Sequence, residues 1–327
     1  MRADVIFAAR GLLVSLAFFA VVYGSLSMVI ALAWRAVESR WLARETRTVP
    51  SAGVLFGLRI FSFAVSAAIG VFLTFPSFWR MERASLDEDA GTFVMAACAL
   101  VILAAGVFRV LRDHARTTRA VKEWLPGTAG AEGRSVENSS SEGERAKREL
   151  GAVNGAPALM LVGIRRPQVM VSDAAAVLSE DELQVAIRHE LAHRRSWDNL
   201  KKVLISATPF PGMAGIEKAW RAAAELAADD AAVGNRREAL DLAAALIKLS
   251  RSAKQSPEPA LASGLVCNYS SITVRVERLL EWRAASHGAR RTWPWAVLIL
   301  VAMSVAIASH YGATLVLTHR LTELLVP

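Results

Sequence analysis

His189-Glu190-Leu191-Ala192-His193 is the run of this 327-residue sequence whose residue types and spacing specify chemistry most directly. Residues four apart on a helix lie about 40° apart around its axis, so both imidazoles leave one face. Two neutral imidazoles so placed suit one Zn2+ at about 2.0–2.1 Å. Glu190 can lie beside the metal without ligating it, take a proton from a water that the metal has acidified, and later pass it to a leaving amine. A catalytic zinc keeps three protein ligands and one open position. His114 and His287 belong to stretches that flank apolar segments, so the third ligand is read as Glu225, 32 residues after His193. That interval allows a helix, a turn and an antiparallel return. Asp229 falls one turn beyond Glu225 on the same face and can accept the second ring N–H of a ligand histidine, fixing its tautomer. A solvent-facing acidic stripe is the alternative for Glu225 and Asp229. Alanine surrounds both, however, and a small-residue helix bearing isolated carboxylates packs closely against something. Asp230 points elsewhere. The expected set is therefore one zinc per chain on His189, His193 and Glu225, with Glu190 as the catalytic acid–base and Asp229 behind the ligands.

The elements that must position these residues carry their own signals. Ser179 followed by Glu182 reads as a capping box, and Leu183, Ala186, Ile187 and Leu191 share one face of a helix that runs to about Arg195. Leu159–Val162 and Gln168–Val171 are short β-type runs that suit a hairpin or two successive strands. Pro209 and Pro211 end the next apolar helix. Helices are predicted over Ile216–Val233, Leu240–Ser252 and Val274–Trp282, with Gln255–Gly264 a loop. Pro126–Gly155, rich in Gly, Ala, Ser and charge, reads as a flexible linker.

The composition explains where such a unit sits. With 54% hydrophobic and 21% charged residues and a mean hydropathy of +0.33, the chain is too apolar for a soluble domain and too charged for an all-membrane bundle. The two kinds of sequence are segregated. Gly11–Trp34, Ile60–Trp79, Ala90–Phe108 and Trp293–Leu317 contain no Asp, Glu, Lys or Arg. Each is long enough for a helix to cross a hydrocarbon core. A set of buried core helices would need an unusually large core. The first window, at 24 residues, is too long for the apolar part of a signal peptide. Arg35, Arg40, Arg44, Arg47 and Arg59 follow window one, and Arg109, Arg112, Arg116, Arg119 and Lys122 follow window three. The positive-inside rule then places residues 35–59 and 109–291 in the cytoplasm, the acidic loop 80–89 outside, and both termini outside. Arg59 is expected to snorkel to the interface. Topology thus accounts for the net charge of +8, and no direct nucleic-acid binding is expected. Two cysteines, Cys98 and Cys267, exclude a disulfide framework and a Cys-rich metal site.

His189-Glu190-x-x-His193 with Glu225-x-x-Ala228-Asp229 resembles the glutamate-ligand zinc peptidases, the gluzincins. Three spans before the motif and one soon after resemble the BlaR/MecR-type integral-membrane metallopeptidases. Asp198, and Arg275-Val276 followed by Leu279-Leu280, match that group's habit. The resemblance covers about residues 90–318. It implies a mainly α membrane protein with four transmembrane helices and a cytoplasmic α+β gluzincin-type domain inserted between helices three and four. The boundaries read as 1–111 for three spans (about 11–34, 57–79 and 90–111), 112–291 for the peptidase domain, and 292–327 for the fourth span and a short outer tail. The implied function is cleavage of a cytoplasmic or juxtamembrane protein, a transcriptional repressor or the chain itself, in signal transduction at the inner membrane of a bacterium.

Antibiotic sensors of that group carry a penicillin-binding domain after the last span. Here about ten residues follow it, with no Ser-x-x-Lys or Lys-Thr-Gly. Sensing is therefore assigned to the outer loop, the spans or a separate sensor protein. Two other functions compete. An HtpX-like or CAAX-processing quality-control peptidase would use the same ligands, but usually with a longer insert between the His pair and the Glu. A zinc-stabilised membrane receptor or scaffold would need a closed site of four ligands and leaves Glu190 without a task. Tyr269, Arg275 and His287 are candidates for stabilising an oxyanion, and Arg275 can instead pair with Glu277 or Glu281 on its own helix. Gln168–Val171 offers an edge to an extended peptide.

Overall fold

The computed structural model describes residues 2–42, 50–81, 90–124, 157–164, 167–252, 263–264, 269–282 and 309–325. Charge-free runs that must satisfy their own backbone hydrogen bonds form long helices. Helix α1 spans Arg2–Leu42, and α4 spans Ala90–Trp124. Between them α2 (Ala52–Ile69) passes through a π-turn at Gly70–Thr74 into α3 (Phe75–Met81). Three stretches, Asp4–Glu38, Ala52–Met81 and Ala90–Glu123, are long and apolar enough to cross a membrane. Their packing uses small residues: Ala17 and Ala96 meet around Phe18, and Ala99 lies against Phe19 and Tyr23. Ser27 and Ser62 hydrogen-bond across α1 and α2 at 2.8 Å.

Most of the fourth apolar window lies outside the described residues. Its last residues fall in a helix, Tyr311–Leu325, whose Tyr311 hydroxyl donates to the Phe72 carbonyl of the π-turn at 2.9 Å. The predicted linker and the loop at 82–89 also lie outside the described residues.

Strands β1 (Leu159–Val162) and β2 (Gln168–Val171) pair antiparallel, Leu159 opposite Val171. A third strand, β3 (Ser263–Gly264), adds to the other edge of β1, giving the order β2-β1-β3. The expected loop thus ends in a strand too short to show an alternating pattern. Beyond the sheet comes α5 (Glu180–Arg195), with both arms of its capping box formed. It is followed by α6 (Asp198–Ala207), α7 (Ala214–Ala232), α8 (Arg236–Ser252) and α9 (Tyr269–Leu280). Leu159, Leu183, Ala186, Leu242, Leu246 and Leu279 form the core between the sheet and these helices. Helices α8 and α9 begin four and five residues earlier than predicted, because their first turns are polar and show no apolar period.

A second core joins the two parts. Ile30 and Trp34 of α1 and Leu55 of α2 pack with Ile205, Met213, Ile216 and Trp220. The loop from α6 to α7 runs along α1: the Tyr23 hydroxyl donates to the carbonyls of Thr208 and Pro209, both at 3.1 Å, and Gly212, at φ +88°, sits against Ala31. On α4, a Cβ at Gly106 would overlap the Ala207 carbonyl, so only glycine permits this approach. Further along α4, Asp113 accepts from Ser206 Oγ at 2.9 Å, so the contacts use the C-terminal half of α1, α4 from its middle onward and the N-terminal half of α2. Those three ends therefore share one side of the bundle.

The helix that carries the second apolar window begins at Ala52, capped by the Ser51 side chain. One expectation is corrected here. Arg59 does not snorkel: it is fully buried, donating from Nε to Glu217 Oε1 at 2.9 Å and from Nη2 to the carbonyls of Thr208 and Ile205. A carboxylate from α7 and the carbonyl end of α6 replace the water that a snorkelling arginine would seek.

Candidate metal centre

Helix α5 delivers both histidines because its amphipathic period continues through them. Leu183 and Ala186 face the core, and His189 and His193 follow on the buried side. Their ring centroids are 4.8 Å apart, and the two Nε2 atoms face each other at 3.2 Å. Glu225, on α7, puts Oε2 at 3.6 Å from His189 Nε2 and Oε1 at 3.6 Å from His193 Nε2. The structure thus brings together the three residues read from the sequence as ligands, with donor atoms all within 4.8 Å of one another.

The other ring nitrogens are also engaged. His189 Nδ1 lies 3.0 Å from Asp229 Oδ1, and His193 Nδ1 lies 2.7 Å from Asp198 Oδ2. A carboxylate facing Nδ1 requires the proton on that nitrogen, so in the neutral rings each Nε2 carries a lone pair. Two lone pairs 3.2 Å apart beside a carboxylate repel unless a cation lies among them. The spacing suits such an ion. Ligands about 2.0–2.1 Å from a tetrahedral centre stand roughly 3.3 Å from one another. The residues present therefore fit a metal.

Asp198 reaches His193 through a sharp reversal. Trp197 between α5 and α6 adopts a left-handed conformation, φ +57°, and is the single non-glycine residue with positive φ among the described residues. The turn brings Asp198 back under the helix it has just left, and Lys201 Nζ holds its second oxygen at 3.0 Å. Asn199 then bonds the carbonyls of Leu161 and Gly163, tying β1 to the same corner.

Arg275 of α9, 2% exposed, completes the cluster. It donates from Nε to Asp229 Oδ2 at 2.8 Å and from Nη2 to Asp229 Oδ1 at 2.7 Å, and its Nη1 pairs with Glu225 Oε2 at 2.9 Å. The alternative pairing with Glu277 or Glu281 is replaced by these cross-helix contacts. Asp230 lies outside the cluster, paired with Arg278 on the surface. His287 lies outside the described residues, as does the side chain of Tyr269.

Burial alone would raise the carboxyl of Glu225, but the facing His189 imidazole and the Arg275 guanidinium hold it well below the usual range. Asp229 is likewise held low against burial, chiefly by the Arg275 charge and the His189 hydrogen bond. Burial would lower the pKa of His189, but the Asp229 carboxylate at Nδ1 and the nearby Glu225 carboxylate outweigh it and raise it. Glu190 is fully buried, both carboxylate oxygens included. Glu225, at 19% side-chain exposure, is the most open of the three prospective ligands.

Sequence reasoning gave Asp198 no role, and it left Arg275 among several alternatives. Their partners lie across an irregular turn and across two packed helices, which helical periodicity cannot register.

A family model described as BlaR1 peptidase M56 matches residues 88–279, from the start of α4 nearly to the end of α9 and including every residue of the cluster. No curated protein and no solved structure matches the chain.

Proposed function

The chain belongs to the BlaR1 peptidase M56 family, and we propose that it is a membrane-embedded, zinc-dependent endopeptidase. The observation that carries this reading is the pair of imidazole Nε2 atoms facing each other at 3.2 Å, each 3.6 Å from a Glu225 oxygen, with every Nδ1 turned away to a carboxylate. His189, His193 and Glu225 would hold the ion. Zinc bound there supplies Lewis acidity toward water and a peptide carbonyl.

The remaining chemistry belongs to the chain. Glu190, buried one residue after His189, accepts the proton that the attacking water gives up and returns it to the departing amine nitrogen. Asp229 and Asp198 keep the protons on Nδ1, so both Nε2 lone pairs stay directed at one point. Burial of His189 and Glu190 excludes bulk water from the proton-transfer path. Three protein ligands among the described residues favour an open catalytic position over a closed structural site.

The substrate is a cytoplasmic or juxtamembrane protein, a repressor or this chain itself, cleaved in signal transduction. The arginine distribution supports a cytoplasm-facing domain in a bacterial inner membrane. The side on which α1, α2 and α4 meet α6 and α7 supports it, because Arg59 of one basic segment pairs there with Glu217, and Arg109 of the other follows Gly106 at the same junction. The test is metal analysis and peptide cleavage by the purified full chain in detergent, wild type beside Glu190→Gln. Wild type is expected to carry one zinc and to cleave. A metal-free wild type would refute the reading.

A further inference from the structure

We propose that Arg275 is a positioning residue of the metal centre: its guanidinium fixes the carboxylates of Glu225 and Asp229 so that Glu225 stays turned toward both imidazole Nε2 atoms. This inference rests on the zinc-site reading above and concerns how the site is held.

Glu225 and Asp229 stand one turn apart on α7, both turned into the protein. Two neighbouring carboxylates on one helix face repel, and each has rotamers that would carry it away from the histidines. Arg275 arrives from α9, 46 residues after Asp229, and answers both problems with one planar group. The Nε and Nη2 edge grips Asp229 bidentately at 2.8 and 2.7 Å. That grip sets Oδ1 where it also meets His189 Nδ1 at 3.0 Å. The remaining Nη1 takes Glu225 Oε2 at 2.9 Å. The carboxylate so held faces both imidazoles, with Oε2 3.6 Å from His189 Nε2 and Oε1 3.6 Å from His193 Nε2. A lysine would conserve the charge but could not span both carboxylates, because an ammonium lacks the fork. A purely charge-balancing ion pair would be satisfied by either residue, and that difference makes the roles separable.

The experiment uses the full chain in detergent, with zinc affinity read by chelator competition and ligand geometry by the visible spectrum of the cobalt-substituted protein. Arg275→Lys keeps the buried charge, so folding is expected to survive, as judged by circular dichroism and elution volume. Its zinc Kd is expected to rise about 10–100-fold, the usual effect of losing a group that orients ligands, and its cobalt spectrum to shift. Arg275→Met should lose at least as much. A wild-type zinc Kd and cobalt spectrum in Arg275→Lys would overturn the inference while leaving the zinc-site reading intact. A wild type that binds no zinc would overturn both. Zinc-edge X-ray absorption of the wild type needs no variant. A carboxylate in the coordination shell beside the two imidazoles is expected, and a shell with no carboxylate would overturn the proposal even if both variants misfold.

Discussion

Arg59 in α2 and Glu217 in α7 form an ion pair at 2.9 Å that joins a helix able to cross a membrane to the helix that carries Glu225. Arg59 is fully buried, and Glu217 lies eight residues before Glu225. Removing one partner of a buried pair leaves the other charge uncompensated and costs about 3–5 kcal/mol, whereas replacing both with apolar groups is often close to neutral. Arg59→Met is therefore expected to lower thermal stability in detergent sharply. Glu217→Gln should do less, since Arg59 keeps its bonds to the Thr208 and Ile205 carbonyls. Arg59→Met with Glu217→Met should recover much of the loss. Equal stability of wild type and Arg59→Met would refute this account of the junction.

Gly106 sets how closely α4 approaches the end of α6. A Cβ there would overlap the Ala207 carbonyl oxygen and come within 2.9 Å of its carbon, and backbone cannot swing aside as a side chain can. Gly106→Ala is expected to destabilise by about 1–3 kcal/mol, the range for overpacking, even though alanine favours the helix itself. Gly57 has open space around its would-be Cβ. Gly57→Ala is the matched control and should leave the melting temperature unchanged or raised.

Glu182 gives a pH signature. Burial pushes its carboxyl up, but the Lys248 ammonium and the Ser179 backbone N–H outweigh this and hold it below its ordinary value near 4.5. A carboxyl depressed by folding contributes stability above its unfolded pKa, and that contribution is lost as pH falls through the folded value. Glu182→Gln should therefore be less stable than wild type at pH 7, with the gap closing below about pH 4. A gap that stays constant with pH would exclude the carboxylate as its source. Ser179→Ala, which removes the other arm of the cap, should cost about 1 kcal/mol.

Asp198 holds the proton on His193 Nδ1 at 2.7 Å. Asp198→Asn can still accept from that nitrogen but loses the charge, and zinc affinity is expected to fall about 10–100-fold. Chelator competition reads the change. Unaltered affinity would show that the turn at Trp197 alone orients the ring.

The site was legible in the sequence as far as helical periodicity reaches. His189 and His193 share a face because they are four apart, and Glu225 and Asp229 do so for the same reason. The Ser179–Glu182 cap and the β1–β2 hairpin likewise follow from local rules. What the sequence hid depends on how elements fold back. Asp198 reaches His193 only because Trp197 takes a left-handed turn, which tryptophan rarely adopts and no pattern announces. Arg275 reads locally as a helix-surface cation next to Glu277, and only the packing of α9 against the cluster turns it toward Glu225. Arg59, at the edge of an apolar run, looks like a snorkelling residue until Glu217 and the α6 carbonyls close over it.

The central claim is that Glu190 moves protons for a peptide hydrolysis at the ion held by His189, His193 and Glu225. Its most direct test is the cleavage rate of Glu190→Gln against wild type, at matched expression and zinc content, with the full chain in membranes. Glutamine keeps the size of the side chain and loses both proton steps. General acid–base help is worth about 10²–10⁴ in rate. The account predicts a fall of at least about 100-fold with zinc still bound. Equal cleavage by the two proteins would contradict it.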